Sequence, residues 1–162
     1  MEIIKTDGTD ERFVMLCGKL DEFLSGMNGK EKQKNVYDKY NSLAGIHDVV
    51  LALEDGIPAG CGSLKEYGSS TGEIKRVFVR EEYRKNGTGR KIIEALEALA
   101  KDKGYDRLIL ETGVSFTGAT HLYKSLGYRV IENYGQYAGM KDSLCMEKHF
   151  TFSSGFPVFY PI

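Results

Sequence analysis

The stretch that decides the fold is Glu73-Ile-Lys-Arg-Val-Phe-Val-Arg-Glu-Glu-Tyr-Arg-Lys-Asn-Gly-Thr-Gly-Arg-Lys-Ile-Ile93. Its first half is rich in β-branched and aromatic residues, which predicts a strand. Gly87 and Gly89 then allow a tight turn into a helix. The free N–H groups in the first turn of that helix, with the positive end of its dipole, would face an anion. Basic side chains surround the turn: Arg84, Lys85 and Arg90. The stretch therefore predicts a strand, turn and helix that bind a diphosphate.

Two common phosphate-binding motifs do not match this turn. A P-loop requires Gly-x-x-x-x-Gly-Lys-Ser/Thr, but Gly89 is followed by Arg90 and Lys91 with no hydroxyl for magnesium. A dinucleotide-binding fold requires Gly-x-Gly-x-x-Gly near the start of the chain and an acidic residue about 20 positions later. Both classes of nucleotide-binding protein are therefore excluded as explanations of the turn.

The turn Arg84-x-x-Gly87-x-Gly89 resembles the Arg/Gln-x-x-Gly-x-Gly/Ala turn of the GCN5-related N-acetyltransferases, the GNAT family. Three further segments match the family's order and distances, over roughly residues 45 to 150: 73–79, 104–112 and 122–128. The resemblance implies an α/β fold with a mixed, mostly antiparallel twisted sheet. A central parallel pair of strands would be splayed around the cofactor, with helices on both sides. It also implies transfer of acetyl from acetyl-CoA to a primary amine of a small molecule or peptide, without a metal.

The length of the chain favours one domain, and the resemblance implies that residues 1–150 form a single N-acetyltransferase domain. Hydrophobic periodicity and turn signals predict its helices and strands. In the helix after the glycine turn, the apolar stripe includes Ile92 and Leu96, and Glu97 is expected outside it. The predicted elements are a first strand (1–5), a helix (12–24) broken at 25–29, a surface helix (31–42), strands over 48–54 and 57–67, the strand from Glu73, a helix (88–103), a strand parallel to the Glu73 strand (107–111), a short helix (117–126), and strands over 128–132 and 143–149.

Composition narrows the class of protein further. The chain has 162 residues, of which 41% are hydrophobic and 28% charged, and its formal charge is -1. This balance predicts no general attraction to nucleic acid or to an anionic membrane. No apolar run approaches the about 20 residues of a membrane span, and the polar N-terminus does not resemble a signal peptide, so we expect a cytoplasmic protein. Cys17, Cys61 and Cys145 form no C-x-x-C pair, which predicts buried thiols rather than disulfides or a zinc site.

The resemblance also assigns residues to the cofactor. The pantetheine arm of acetyl-CoA would pair with the backbone of Val77, Phe78 and Val79, and Ala119 and Tyr123 of the short helix would also contact acetyl-CoA. One departure is Phe116, because many relatives carry asparagine or glutamine three residues before the alanine. A polar contact to the cofactor would then be missing. The diphosphate would be wrapped by the main chain of the turn: Arg84, Lys85, Asn86, Gly87, Thr88, Gly89 and Arg90.

Two side chains are candidates for proton transfer. The family places a tyrosine near the cofactor sulfur, where Tyr123 stands here, and a phenol of pKa about 10 could protonate a leaving thiolate. Glu73 could accept the proton of the amine, directly or through water. Glu111 is a second candidate, and some relatives use solvent instead. The three alternatives for the base remain open at this stage.

The acceptor pocket would lie between the first two helices and the loop 133–142. Tyr37, Tyr134 and Tyr137 would give it aromatic walls, and Arg76 could recognise a carboxylate. These features do not distinguish an amino acid, a polyamine, an antibiotic or a peptide lysine as the acceptor. Two other functional classes stay open, a noncatalytic CoA-binding sensor and an interaction protein. The tail 151–162 carries four aromatic residues, and we expect it to pack on the domain or against a partner subunit in a homodimer.

Overall fold

The computed structural model of the chain describes residues 1–28, 43 and 45–150. The predicted helix over 31–42, Tyr37 and the aromatic tail over 151–162 lie outside these residues. We number the described elements in chain order: β1 (Glu2–Thr6), α1 (Glu11–Asn28), β2 (Asp48–Glu54), β3 (Ile57–Gly68), β4 (Thr71–Val79), α2 (Thr88–Asp102), β5 (Arg107–Gly113), α3 (Thr117–Ser125), β6 (Arg129–Ile131) and β7 (Ser143–His149). Short 3₁₀ turns lie over Glu81–Tyr83 and Gly135–Tyr137.

The described strands form one seven-stranded sheet in the order β1-β2-β3-β4-β5-β7-β6. Within it, β4 and β5 are parallel, and the other neighbouring strands pair antiparallel. The helix α2 connects β4 to β5, as expected of a parallel crossover. The prediction of a mixed, mostly antiparallel sheet with flanking helices is therefore confirmed. The insertion of β7 between β5 and β6 was not predicted from the residues.

The parallel pair separates halfway along β4. Its pairing runs from Thr71 opposite Arg107 to Ile74 opposite Leu110. Beyond these pairs β4 continues to Val79 and β5 continues to Gly113. The two strands therefore part, and the backbone of the second half of β4 faces the gap between them.

A β-bulge lies in β4 at the point where the strands part. Lys75 pairs with Ser63 and Phe78 pairs with Cys61, so two residues of β4 stand opposite one residue of β3. Arg76, in the bulge, has a φ of 58°, in the left-handed region. Bulges bend a strand and change the direction of its side chains. The bulge thus sets the position of Arg76 beside the gap.

Apolar side chains cover both faces of the sheet. Successive residues of a strand point to opposite faces, so Val50 packs with α2 while Val49 and Leu51 pack with α1. Phe13 and Leu16 of α1 are fully buried against Val49 and Leu51 on that face of the sheet. Each such side chain contributes about 1.5–3 kcal/mol by leaving water. Both helices are thereby fixed to the sheet, one on each side of the parted strands.

Two local predictions were wrong. The helix α1 continues through Gly26 to Asn28 instead of breaking at residue 25. One glycine costs a helix only about 1 kcal/mol, which its buried stripe outweighs. Glu97 was expected outside the stripe of α2, but it is only 7% exposed. It accepts hydrogen bonds from the Tyr128 hydroxyl at 2.8 Å and from Nζ of Lys148 at 3.0 Å, and such partners allow a carboxylate to be buried.

Candidate active site

A cleft of about 760 Å³ opens where β4 and β5 part. It contains Glu73, Glu111 and Tyr123, together with the residues assigned to the cofactor except Asn86, which lies in the turn but not in the wall of the cleft. The structure thus brings the candidate residues of three separate segments to one place. Sequence reasoning missed several wall residues that local patterns assign only to packing: Leu20, Leu24, Thr112, Gly113, Ser115, Thr117, Gly118 and Leu122.

The glycine turn presents backbone donors at one end of this cleft. Gly87 precedes α2 with a φ of 78°, which glycine adopts without strain. The helical bond from the N–H of Lys91 to the carbonyl of Gly87 is 3.1 Å long. The N–H groups of Thr88, Gly89 and Arg90 precede that bond, so they belong to the open end of the helix. This is the arrangement that binds phosphate groups at helix N-termini.

Gly89 allows the turn to approach α3 closely. A Cβ atom at this position would lie 3.1 Å from Cδ2 of Leu122, which is tighter than an ordinary packing contact. The close approach keeps the donors of the turn and the wall formed by α3 on the same cleft. Gly87 has open space around it and is required for its backbone angle instead.

Two arginines of the turn are held in place by neighbouring groups. Nε of Arg84 donates to the carbonyl of Val79 at 2.8 Å, and its guanidinium lies 5.3 Å from the centre of the Phe23 ring. Nη2 of Arg90 donates to Oγ of Ser125 at 3.0 Å. These contacts keep positive charge at the mouth of the cleft, beside the helix N-terminus, where it favours an anion.

Tyr123 lies inside the cleft with only 6% of its surface exposed. Its ring meets that of Tyr128 edge to face, with 5.8 Å between the ring centres. Burial raises the pKa of the Tyr123 hydroxyl above its ordinary value, and the negative charge of Glu111 raises it further. The hydroxyl therefore stays protonated at neutral pH and acts as a hydrogen-bond donor.

Glu73 lies on the floor of the cleft and is already engaged by other groups. It is 5% exposed and accepts a 2.6 Å hydrogen bond from the hydroxyl of Tyr134. Nζ of Lys75 lies 4.0 Å from its other carboxylate oxygen. The structure places Glu73 in the cleft, as the sequence predicted, but with its charge partly balanced.

Glu111, on the neighbouring strand, lies in a different environment. It accepts a 2.6 Å hydrogen bond from Oγ of Ser143. Burial is the largest effect on its carboxyl group and raises its pKa above the ordinary 4.5. Burial likewise lowers the pKa of Lys75. A carboxylate with a raised pKa is a stronger proton acceptor, which supports Glu111, the second candidate from the sequence, as a general base.

Of the three tyrosines predicted to wall the acceptor pocket, Tyr137 lines the cleft, Tyr134 does not, and Tyr37 lies outside the described residues. Tyr134 contacts Tyr67 and Tyr137 edge to face, with ring centres 5.3 Å and 5.6 Å apart. In the wall of the cleft, the Phe116 ring lies 5.7 Å from the Phe23 ring. Phe116, at the position where many relatives carry an amide, thus supplies an apolar wall to the cleft.

The described residues hold no group of three or more His, Cys, Asp and Glu side chains that could bind a metal ion. Cys17, Cys61 and Cys145 are buried free thiols, as predicted. In the same part of the chain no helix combines the length and apolar character of a membrane span.

The residues from 19 to 128 match the model of the acetyltransferase (GNAT) family. The chain belongs to this family. It is 36% identical over 92 residues to the uncharacterized N-acetyltransferase YsnE of Bacillus subtilis, a match that covers 56% of this chain and 61% of YsnE. It is 29% identical over 147 residues to the IAA acetyltransferase of Azospirillum brasilense, covering 90% of this chain and 95% of that protein. The chain thus spans about three fifths of one relative and nearly all of the other.

Solved structures agree with this assignment. A Klebsiella pneumoniae protein assigned as an acyl-CoA N-acyltransferase is 26% identical and superposes with a TM-score of 0.76 over 93% of this chain and 97% of its own. A GNAT acetyltransferase from Elizabethkingia anophelis, solved with acetyl-CoA bound, is 25% identical with a TM-score of 0.59, over 72% of this chain and 83% of its own. The family and fold that the glycine turn indicated are confirmed.

Proposed function

We propose that the protein transfers an acetyl group from acetyl-CoA to a primary amine of a small molecule or peptide. The observation that carries this proposal is that one cleft, between β4 and β5, contains all the groups the reaction needs. It joins a helix N-terminus suited to a diphosphate with a buried phenol and two carboxylates, Glu73 and Glu111. A binding module would need the turn and the gap but not these proton-transferring groups.

The residues present fit acetyl-CoA. The backbone of Val77 to Val79 faces the gap beyond the last β4–β5 pair, so it would pair with the amides of the pantetheine arm. The open N–H groups of Thr88, Gly89 and Arg90 would hold the diphosphate, and Arg84 and Lys85 would add charge. When bound, acetyl-CoA supplies a thioester, whose carbonyl carbon is open to attack by an amine.

The amine must lose a proton during the transfer. Glu111 is the better acceptor of the two carboxylates, because burial raises its pKa while Glu73 is paired with Tyr134 and Lys75. In this proposal Glu73 keeps the incoming ammonium group near Glu111 by charge. Removal of one proton leaves a neutral amine at the gap between the strands. The nitrogen loses its second proton after the C–N bond has formed, and through solvent this proton balances the departing thiolate, which leaves as the thiol of CoA.

The departing thiolate needs a donor. Tyr123 supplies it, because its hydroxyl is protonated and lines the cleft. Since burial raises the pKa of Tyr123, complete proton transfer to a thiolate is unfavourable within the cleft. Its contribution is therefore a hydrogen bond to the sulfur as charge develops there.

Two measurements test the proposal. Calorimetry with acetyl-CoA separates both CoA-binding functions from an interaction protein, for which no heat is expected. Thiol release with a panel of primary amines then separates an enzyme from a noncatalytic sensor. Tight binding of acetyl-CoA without thiol release for any amine would favour the sensor.

A further inference from the structure

Arg76 is a buried cation of the cleft that the proposed reaction does not use. Its side chain is only 5% exposed, and it lines the same cleft as Glu111 and Tyr123. Its φ of 58° is a conformation that costs a non-glycine residue about 1–2 kcal/mol. Such strained residues cluster at ligand-binding sites, because the surrounding structure must hold them there. The bulge of β4 therefore places a positive charge where the two strands part.

One buried nitrogen of the Arg76 guanidinium has no hydrogen-bond partner. Its Nη1 donates to Oδ1 of Asp21 on α1 at 2.7 Å. The side chain of Asp21 is 43% exposed, so this pair lies at the boundary between cleft and solvent. Nε of Arg76 is buried without a hydrogen-bond partner. An unpaired buried donor costs about 1–3 kcal/mol, and more when it is charged, so a ligand that satisfies it gains that energy.

The planar guanidinium of Arg76 indicates which kind of anion would bind it. A guanidinium is a planar fork of donors that matches a carboxylate, often through two parallel hydrogen bonds. Asp21 binds Nη1 of Arg76, whereas the Nε–H of the same guanidinium has no partner. The diphosphate of acetyl-CoA has its own basic residues at the glycine turn, beyond the end of β4. The anion that suits Arg76 is therefore on the other substrate.

Arg76 and Glu111 stand on β4 and β5 just beyond their last pair, and both line the cleft. Ile74 pairs with Leu110, so Glu111 stands level with Lys75 and one residue from Arg76. With strands about 4.8 Å apart and residues about 3.3 Å apart along them, their backbone positions are roughly 6 Å apart where the strands begin to part. A molecule with its amine near Glu111 and its carboxylate near Arg76 would therefore lie within this one cleft.

We infer that the acetyl acceptor carries a carboxylate and that Arg76 binds it, which makes an amino acid the substrate class. This inference rests on the proposed function and deepens it. Binding of a carboxylate by Arg76 would favour an amino acid over a polyamine or a basic antibiotic, because neither of these offers an anion to Arg76. The apolar walls formed by Phe23 and Phe116 would contact the side chain of the amino acid.

The first test compares acceptors that differ only in the carboxylate. Methionine, phenylalanine and lysine are each assayed against their amides by thiol release. The wild type should favour the best acid over its amide by at least about tenfold in kcat/KM, the scale of a hydrogen bond to a charged group. In Arg76→Gln this preference should disappear, and Arg76→Lys should restore part of it. Arg129→Gln is the control, because Arg129 is 73% exposed on β6 and does not line the cleft.

A second measurement distinguishes recognition from a structural role. If Arg76 only fixes α1 through Asp21, Asp21→Asn and Arg76→Gln should both lower the melting temperature and leave the acid-to-amide ratio unchanged. If Arg76 binds the substrate, Asp21→Asn removes a competing carboxylate and should lower the KM for the acid. The Kd for CoA should stay the same in both variants; a raised Kd for CoA with an unchanged ratio would assign Arg76 to the cofactor and overturn the inference.

A third measurement does not depend on turnover. N-acetylphenylalanine and its amide are titrated into the protein with CoA present. Tighter binding of the acid in the wild type, lost in Arg76→Gln, supports the inference even if no tested amine is acetylated, in which case the proposed function alone fails. Turnover of amides as fast as acids, or equal binding of the two probes, overturns the inference and leaves the proposed acetyl transfer standing.

Discussion

The hydroxyl of Tyr134 donates a 2.6 Å hydrogen bond to Oε2 of Glu73, across a sequence separation of 61 residues. The contact joins the loop before β7 to the floor of the cleft. Burial raises the pKa of the Tyr134 hydroxyl above its ordinary value, and the charge of Glu73 adds to this effect. The phenol of Tyr134 thus remains the hydrogen-bond donor throughout the neutral pH range.

Tyr134→Phe should therefore lower the free energy of unfolding. The buried carboxylate of Glu73 would lose one donor, which typically costs about 1–3 kcal/mol. Urea denaturation of the variant and wild type measures the difference. Tyr67→Phe is the matched control, because Tyr67 packs on the Tyr134 ring and is 47% exposed. Equal stability of Tyr134→Phe and wild type would show that the hydrogen bond contributes nothing measurable.

Glu111→Gln should reduce kcat by about 10²- to 10⁴-fold, the usual contribution of a general base. A base must be ionised, and burial raises the pKa of Glu111 above 4.5. As the pH falls through that raised pKa, the carboxyl gains a proton and the wild-type rate should decline. The pH profile of kcat/KM measures this acidic limb, which should vanish in Glu111→Gln. If Glu73→Gln removes the limb instead, the base is Glu73.

The elements of this fold follow from local patterns, whereas the contacts between them do not. The strand Asp48–Glu54 and the strand Ser143–His149 have the bounds that alternation and turn residues predicted. The place of β7 between β5 and β6 depends on packing over the whole sheet, and no short window of residues contains it. Strand identity is a local property, but strand order is not.

The site divides in the same way. Gly87 and Gly89 could be recognised because their spacing reflects a backbone geometry. The pairs Tyr134 with Glu73 and Arg76 with Asp21 join residues 61 and 55 positions apart, so no spacing rule identifies them. The burial of Glu97 was missed for the same reason, since its partners lie on other elements. Helical periodicity predicts that a charged residue is exposed, because the pattern within one helix does not show a hydrogen-bond partner on another element.

Tyr128→Phe tests how much the hydrogen bond to the buried carboxylate of Glu97 stabilises the fold. The Tyr128 hydroxyl donates to Glu97 at 2.8 Å, and its loss should cost about 1–3 kcal/mol of stability at neutral pH. Burial, and then the charge of Glu97, raise the pKa of Tyr128 above 10.0. The unfolded chain therefore ionises first, and the stability contributed by this group is lost as the pH rises above about 10. Urea denaturation should show the gap between the two proteins shrinking above that pH, and a constant gap would contradict this account.

Gly89→Val should raise the Kd for acetyl-CoA at least tenfold, equivalent to about 1.4 kcal/mol. A Cβ at this position already lies 3.1 Å from Leu122, so a branched side chain must push the turn away from α3 and displace its donors. Calorimetry measures the Kd, and circular dichroism verifies the fold. Gly18→Ala is the control, since its added Cβ would meet no atom within 4 Å. Unchanged affinity in Gly89→Val would remove the turn from the proposed cofactor site.

Tyr123→Phe should lower kcat while leaving the Kd for acetyl-CoA nearly unchanged. The ring keeps its packing against Tyr128, so only the hydroxyl is lost. Since the raised pKa restricts Tyr123 to hydrogen bonding with the departing sulfur, the loss should be near the low end of the usual range, about 10²-fold. Single-turnover kinetics isolate the chemical step. Acetyl donors with more acidic thiols depend less on this hydrogen bond, so the variant should recover part of its rate with them. An unaltered single-turnover rate with acetyl-CoA would assign Tyr123 to packing alone.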